Sequence, residues 1–367
     1  MANIPNKPYF PHLDALRFIA FLGVYLEHFS LSGFSCFSDP KFNLLKEAFL
    51  YRGYLGVSLF FVISGFLITT LLMHEWKITG GINIKNFYIR RALRIWPLYF
   101  TVLLIGFVLV PAITNQYDND TAKPWFYLLF AANFNSSLYG LTINPVLLPM
   151  WSLSVEEQFY LLFPLMLFLL RGKTLIIVLG LMIAVGLYYR SLLYPNFVVM
   201  GIHSITVAPD IIVGVFCGLA YHFSWKVIGW IENLNGKIIF AVYLLGVFLL
   251  FNGKFDFYLP TVHFSRLVYT LFFAFVILEQ CFAKNSFLKF SNIGGFSSMG
   301  VISYGLYCLH QPALLIGKNL DRILSPLLPE WLSIILIIVI CFLMAFLLAK
   351  ISYRFLETPF LKLKRKF

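Results

Sequence analysis

Charge is what this chain has least of. Only 12% of its 367 residues are Asp, Glu, Lys or Arg, about half the share of an ordinary soluble domain. With 60% hydrophobic residues and a mean hydropathy of +0.83, too little polar surface exists to coat a water-soluble fold. Carboxylates are scarcer still, 16 against 28 Lys and Arg, for a net charge of +12. That excess reads as basic loops on one side of a membrane and gives no nucleic-acid footprint. The five cysteines (Cys36, Cys217, Cys281, Cys308, Cys341) have no metal-site or disulfide spacing, and four sit in apolar runs. HExxH, a P-loop and GxSxG are also missing, so no motif supports metal, nucleotide-hydrolysis or serine-hydrolase chemistry. The start, MANIPNKPYF, does not open a signal peptide, and the first apolar stretch has no small-residue cleavage pattern. It is expected to remain as a membrane helix.

What the chain has in abundance is long apolar runs. Ten of them are near bilayer-spanning length: 13–34, 54–74, 95–113, 151–170, 174–190, 205–223, 236–252, 261–282, 298–318 and 330–352. A shorter piece, WFYLLFAANF at 125–134, is read as interfacial or re-entrant. Loop charge tests this assignment. With the N-terminus in the cytoplasm, eighteen Lys and Arg fall on the inner side, among them Lys7, Arg90, Arg91, Arg94, Arg171 and the C-terminal LKLKRKF. Eight fall outside, including Lys41, Lys46 and Lys254, and Arg17 and Arg266 lie deeper within spans. A crossing at 125–134 would turn the basic tail outward. The expected fold is therefore all-α and integral to the inner (plasma) membrane. About ten helices would form a single domain over 1–367, with a core at about 12–360, both termini cytoplasmic and no soluble extracytoplasmic domain.

Ionisable residues inside such runs are costly and mark function. LDALRFIAFLGVYLEH, residues 13–28, carries Asp14, Arg17, Glu27 and His28. Arg17 and His28 are eleven residues apart, about three turns, so one face holds both, ~16 Å apart along the axis. A fixed cation and a distant titratable base suit a substrate with one charged end and one reactive end. A headgroup-anchored Arg and a satisfied buried His would fit the same pattern. Glu27 points ~100° away from His28.

Five further stretches carry chemistry or packing. GYLGVSLFFVISGFLIT, residues 53–69, sets small residues in an apolar run, a pattern that favours close helix contact. KNFYIRRALRIWPLY, residues 85–99, puts Arg91 and Arg94 one turn apart, suited to phosphates or to anionic lipid. PMWSLSVEEQFYLLFP, residues 149–164, shows capping-box spacing between Ser154 and Glu157, with Glu156 in the same turn. Either carboxylate can cap the helix, orient His28 or bind an acceptor hydroxyl. ISYGLYCLHQP, residues 302–312, holds His310 at a depth within ~5 Å of that of His28, near Tyr304 and Tyr307. Pro312 leaves backbone groups that His310 can instead satisfy. SYRFLETP, residues 352–359, spaces Arg354 and Glu357 for a pair before Pro359 stops the helix. The other histidines, including His263, show no ligand spacing.

In this order, LDALR-x10-H, GVSLFFVISGFL, RRALRIWPLY, WSLSVEEQFYLLFP, SYGLYCLHQP and SYRFLETPF resemble the acyltransferase 3 family of integral-membrane acyltransferases. The resemblance covers nearly the whole chain and implies a ten-helix core. It also implies transfer of an acyl group, commonly acetyl, from cytoplasmic acyl-CoA to a hydroxyl of a cell-surface glycan or exported glycoside. Some relatives carry a further C-terminal esterase-like domain, which is not expected here. Carried onto this chain, the family's Arg-x10-His pair is Arg17 and His28, and its RxxR pair is Arg91 and Arg94. The expected donor site is Arg17, Arg91 and Arg94. The expected catalytic groups are His28, with Glu156 or Glu157 orienting it, and His310. Acyl-CoA, a carbohydrate and the bilayer are the expected partners, with no metal and no nucleic acid. The rival reading is a transporter or flippase for a lipid-linked or anionic substrate.

Overall fold

A computed structural model describes residues 8–34, 52–114, 120–170, 172–251 and 264–367. Cys36, Lys7, Lys41, Lys46, Arg171, Lys254 and His263 lie outside them, with most of the loop at 35–53. Every regular element among the described residues is helical. In chain order the main ones are α1 (Pro11–Leu31), α2 (Tyr54–Thr79), α3 (Ile84–Leu104, continued by a π stretch at Ile105–Leu109 and a helical turn at Val110–Thr114), α4 (Pro124–Leu128), α5 (Ala132–Tyr139) and α6 (Met150–Leu169). Next come α7 (Lys173–Leu193), α8 (Phe197–Ile202), α9 (Ser204–His222), α10 (Lys226–Glu232) and α11 (Gly236–Phe251). The last are α12 (Ser265–Phe282), α13 (Phe296–Val301), α14 (Ser303–Leu324), α15 (Glu330–Ser352) and α16 (Thr358–Leu363).

Seven helical stretches are long and apolar enough to cross a membrane, and an eighth is gained if α10 and α11, bent by 102°, form one span. The two remaining spans of the sequence reading coincide with α1 and α14. Both are long enough, at 21 and 22 residues, to cross ~30 Å of hydrocarbon. Both are too polar to pass on composition, because they carry the ionisable residues. The short apolar piece at 125–134 breaks into α4 and α5 at Phe130, whose φ is +53°. Neither half is long enough to cross.

The chain divides into two compact units. The first takes residues up to Ala20, Leu55–Ile84 and Glu156–Gly300. Its seam is α2 against α9. A Cβ on Gly65 would lie 2.0 Å from the Ile211 carbonyl oxygen, and one on Gly214 would lie 2.1 Å from that of Val62. Only glycine lets these backbones approach so closely, which is the membrane small-residue rule at work. Deeper in the unit, Arg266 of α12 pairs with Asp210 of α9 at 2.8 Å, and Thr270 donates to the same carboxylate at 2.8 Å. The intraspan arginine is thus neutralised inside the protein.

The second unit holds Phe21–Tyr54, Lys85–Val155 and Val301–Phe367. Its centre is the antiparallel pair α14 and α15, drawn together where Gly317 meets Cys341. The Tyr25 hydroxyl of α1 donates to the Ile338 carbonyl of α15 at 2.6 Å. Glu27 lies against Gly53 and takes the backbone N–H of Tyr54, where α2 begins. A carboxylate there meets an otherwise orphaned helix N–H.

Two local expectations are corrected. The capping box at Ser154 is not a helix start, since α6 already begins at Met150. Ser154 is buried one turn in, donating to the Met150 carbonyl at 3.0 Å and accepting the Ala132 N–H at 3.2 Å. Its hydroxyl follows the back-bonding habit of serine inside helices. The expected Arg354–Glu357 pair is replaced as well. A π turn at Tyr353–Glu357 changes the register, Ser352 donates to Glu357 at 3.1 Å, and Arg354 lies over the Phe355 ring.

The seam makes a direct prediction. Gly214→Ala should destabilise the detergent-solubilised protein by about 1–3 kcal/mol, the cost of overpacking a tight contact. Thermal melting against Gly180→Ala, which has open space around it, checks this. Equal melting of the two variants would remove the seam from the account.

Candidate active site

Two histidines 282 residues apart in sequence meet in the second unit. His28 Nδ1 lies 2.7 Å from His310 Nε2, and the rings stack at 4.9 Å between centroids, 16° from parallel. His310 is fully buried, whereas His28 is half-buried. The apolar ring of Phe21 packs edge-on against His310. His310 Nδ1 lies 2.7 Å from the Tyr307 carbonyl oxygen. That carbonyl belongs to the residue before Cys308, whose own carbonyl is the one Pro312 deprives of an N–H.

These contacts assign the protons. A carbonyl oxygen only accepts, so His310 Nδ1 carries its ring proton. In the neutral ring Nε2 is then an acceptor, and His28 Nδ1 must be the donor. His28 Nε2 is left with a free lone pair, on the less buried of the two rings. The chain Tyr307 carbonyl, His310, His28 therefore holds one imidazole in the tautomer a general base needs. A ring held through its far nitrogen is also fixed in orientation.

Around this pair the unit supplies two further polar contacts that sequence reading did not single out. Ser152 of α6 and the Tyr307 hydroxyl are 2.6 Å apart, beside His310. Ser152 had no signal of its own, and only the position of Tyr307 one turn before His310 hinted at it. The Tyr304 hydroxyl donates to the Ile95 carbonyl at 2.7 Å, tying the start of α14 to α3 next to Arg94. The Arg94 guanidinium acts on the Glu357 carboxylate. Arg91 and Arg94 are partly buried on one turn of α3. His310 is six residues beyond Tyr304, ~9 Å along α14.

The remaining candidates belong to the first unit. Arg17 pairs with Asp14 at 3.1 Å, and the Tyr9 hydroxyl donates to the other Asp14 oxygen at 2.9 Å. Glu156 accepts the Ser64 hydroxyl, and Tyr160 donates to Ser64 at 2.7 Å. Glu157 follows it on α6, also half-buried. No group of three or more His, Cys, Asp or Glu fit to hold a metal exists among the described residues.

Helices of this length and apolarity make the chain a multi-pass membrane protein, and its polar centre is a histidine pair. The acyltransferase domain profile of the acyltransferase 3 family matches residues 10–350, and the chain belongs to that family. It is 27% identical over 380 residues to the peptidoglycan O-acetyltransferase OatA of Listeria monocytogenes, covering 97% of this chain and 56% of that protein. It is 29% identical over 373 residues to the O-acetyltransferase OatA of Staphylococcus aureus, covering 96% of this chain and 57% of that protein. The chain thus spans little more than half the length of these relatives. No solved structure matches it.

The proton assignment is testable by itself. Nitrogen-15 spectra of histidine-labelled protein should show His28 protonated at Nδ1 only, with the resonance assigned by its loss in His28→Ala. In His310→Ala the Nδ1 preference should give way to a mixture of tautomers. An Nε2–H tautomer for His28 in the unaltered protein would contradict the hydrogen-bond chain.

Proposed function

We propose that this chain is a membrane O-acetyltransferase, taking acetyl groups from acetyl-CoA and placing them on a hydroxyl of a cell-wall glycan. The single observation that carries the mechanism is the His28–His310 contact, which leaves His28 Nε2 unprotonated. The acceptor hydroxyl gives its proton to that nitrogen as its oxygen attacks the thioester carbonyl. The new O–C bond forms, the C–S bond breaks, and the proton passes from His28 to the departing coenzyme A thiolate. His310 touches no reacting atom in this scheme. It is a positioning residue that holds the tautomer and shares the positive charge His28 gains. A covalent acyl-imidazole on His28 Nε2 is the alternative course and uses the same lone pair.

The donor's phosphates are assigned to Arg91 and Arg94, whose paired guanidinium groups suit them. Along α14, Tyr304 beside Ile95 is only ~9 Å from the histidines, within reach of an extended pantetheine arm. Arg17 shares α1 with His28 and is assigned a supporting role, since its guanidinium is already engaged by Asp14. Glu156 is held with Ser64 and Tyr160 inside the first unit, and no step at His28 is assigned to it or to Glu157. The glycan class follows the named activity of the relatives. The spans of the sequence reading, with both ends of the chain in the cytoplasm, put the donor site on the inner face.

Membranes supplied with labelled acetyl-CoA and peptidoglycan should accumulate label in an alkali-labile ester. His28→Ala should lower that rate about 10²- to 10⁴-fold, the usual worth of a general base. Label that fails to enter an ester, or a His28→Ala rate within a few-fold of the unaltered protein, would overturn the proposal. Arg91→Ala should raise KM for acetyl-CoA about tenfold or more with kcat nearly unchanged, as for a group binding ground and transition states alike. An unaltered KM would make Arg91 a lipid anchor.

A further inference from the structure

In the first unit the ends of α2, α6, α7 and α9 enclose a cavity of about 580 Å³, a volume typical of small-molecule sites. Its walls are aliphatic, with Met73, Leu167, Ile176 and Leu219 among them, and Lys77, Lys173 and His222 stand with them in the lining. Trp76 and Trp225 also line it. Four helix ends meeting at one level mark where apolar spans leave the hydrocarbon, and Lys and Trp are the residues that favour that level.

The charge is one-sided. No carboxylate lines the cavity among the described residues. Among the described residues Lys77, Lys173 and His222 make no hydrogen bond or ion pair, and the buried Nε2 of the neighbouring His74 has no hydrogen-bond partner. A slot with apolar walls under an uncompensated basic rim matches an amphiphile with an aliphatic tail and an anionic head. Neither the histidine pair nor the arginines of α3 contribute to it.

We propose that this slot holds one anionic phospholipid, its phosphate between Lys77, Lys173 and His222 and an acyl chain along the aliphatic wall. The site is independent of the acetyl-transfer scheme. Its occupant is a bilayer lipid because the basic groups stand at the ends of four apolar, span-length helices and the rest of the lining is apolar.

The test is native mass spectrometry of the full chain, released from detergent containing equal phosphatidylglycerol and phosphatidylethanolamine. The unaltered protein should retain phosphatidylglycerol preferentially. Lys77→Gln/Lys173→Gln should cut that preference about 25-fold, each lysine near a membrane surface contributing about a factor of five. Ile176→Trp, which fills the slot, should lower retention of both lipids. Lys284→Gln, which breaks only the surface pair with Glu232 at 3.5 Å, should change nothing. Melting curves confirm that each variant is folded. If the double variant is not, Lys173→Gln alone should show the fivefold loss. Equal retention of the two lipids by the unaltered protein would overturn the proposal, as would a preference that survives in the folded lysine variants. Competitive displacement of the lipid by acetyl-CoA would also overturn it, by giving the slot to the donor.

Discussion

A polar side chain on a helix surrounded by hydrocarbon has to find its partner within the protein, because no water is there to provide one. This constraint explains where α1 puts each of its ionisable groups. Asp14 and Arg17 neutralise each other at one end, with the Tyr9 hydroxyl on the carboxylate. Glu27 accepts the Tyr54 N–H at the N-terminus of α2. His28 has no such local solution, and its partner comes from α14. The same constraint makes the pairing informative, since every ring nitrogen of the two paired histidines but one is accounted for. The nitrogen left over is the one available for chemistry.

The two units meet the constraint by different means. In the first, glycines let α2 and α9 touch backbone to backbone, and the charges deep in the unit close on each other as Asp210 and Arg266. Breaking such a pair from one side costs about 3–5 kcal/mol, because it strands a buried charge. In the second, polar contacts cluster on α14 instead. Tyr304, Tyr307 and His310 lie at successive turns of one helix and reach α3, α6 and α1 respectively. A helix that spends three side chains in this way is too polar to read as an ordinary span, yet it is the element that assembles the site.

Much of this was legible in the sequence, and the limits have physical reasons. Apolar runs locate the helices well, since length and hydropathy are local properties. The polar helices α1 and α14 were legible too, as runs interrupted by ionisable residues. The pairing of His28 with His310 was not, because contacts across 282 residues leave no periodic signature. Matched depth in the membrane made it conceivable and nothing more. The capping box at Ser154 misled because serine, four residues beyond the true start at Met150, bonds backward as readily as it caps. The Arg354–Glu357 pair misled because i,i+3 spacing assumes a regular α-helix, and the π turn alters the register. Arg94 and Glu357 are far apart in sequence, so only the fold brings that carboxylate and guanidinium together.

The proposed mechanism needs the two histidines to act as one unit, and a double-mutant cycle on kcat measures that directly. Rates would be taken for the unaltered protein, His28→Ala, His310→Ala and the double variant, all with saturating acetyl-CoA and the same glycan. If His310 works only by holding His28, the double variant is as slow as His28→Ala alone, because the second loss has nothing left to act on. Losses that multiply, with the double variant slower than either single variant by the product of their effects, would mean independent roles. That result would contradict the hydrogen-bonded pair as the working base.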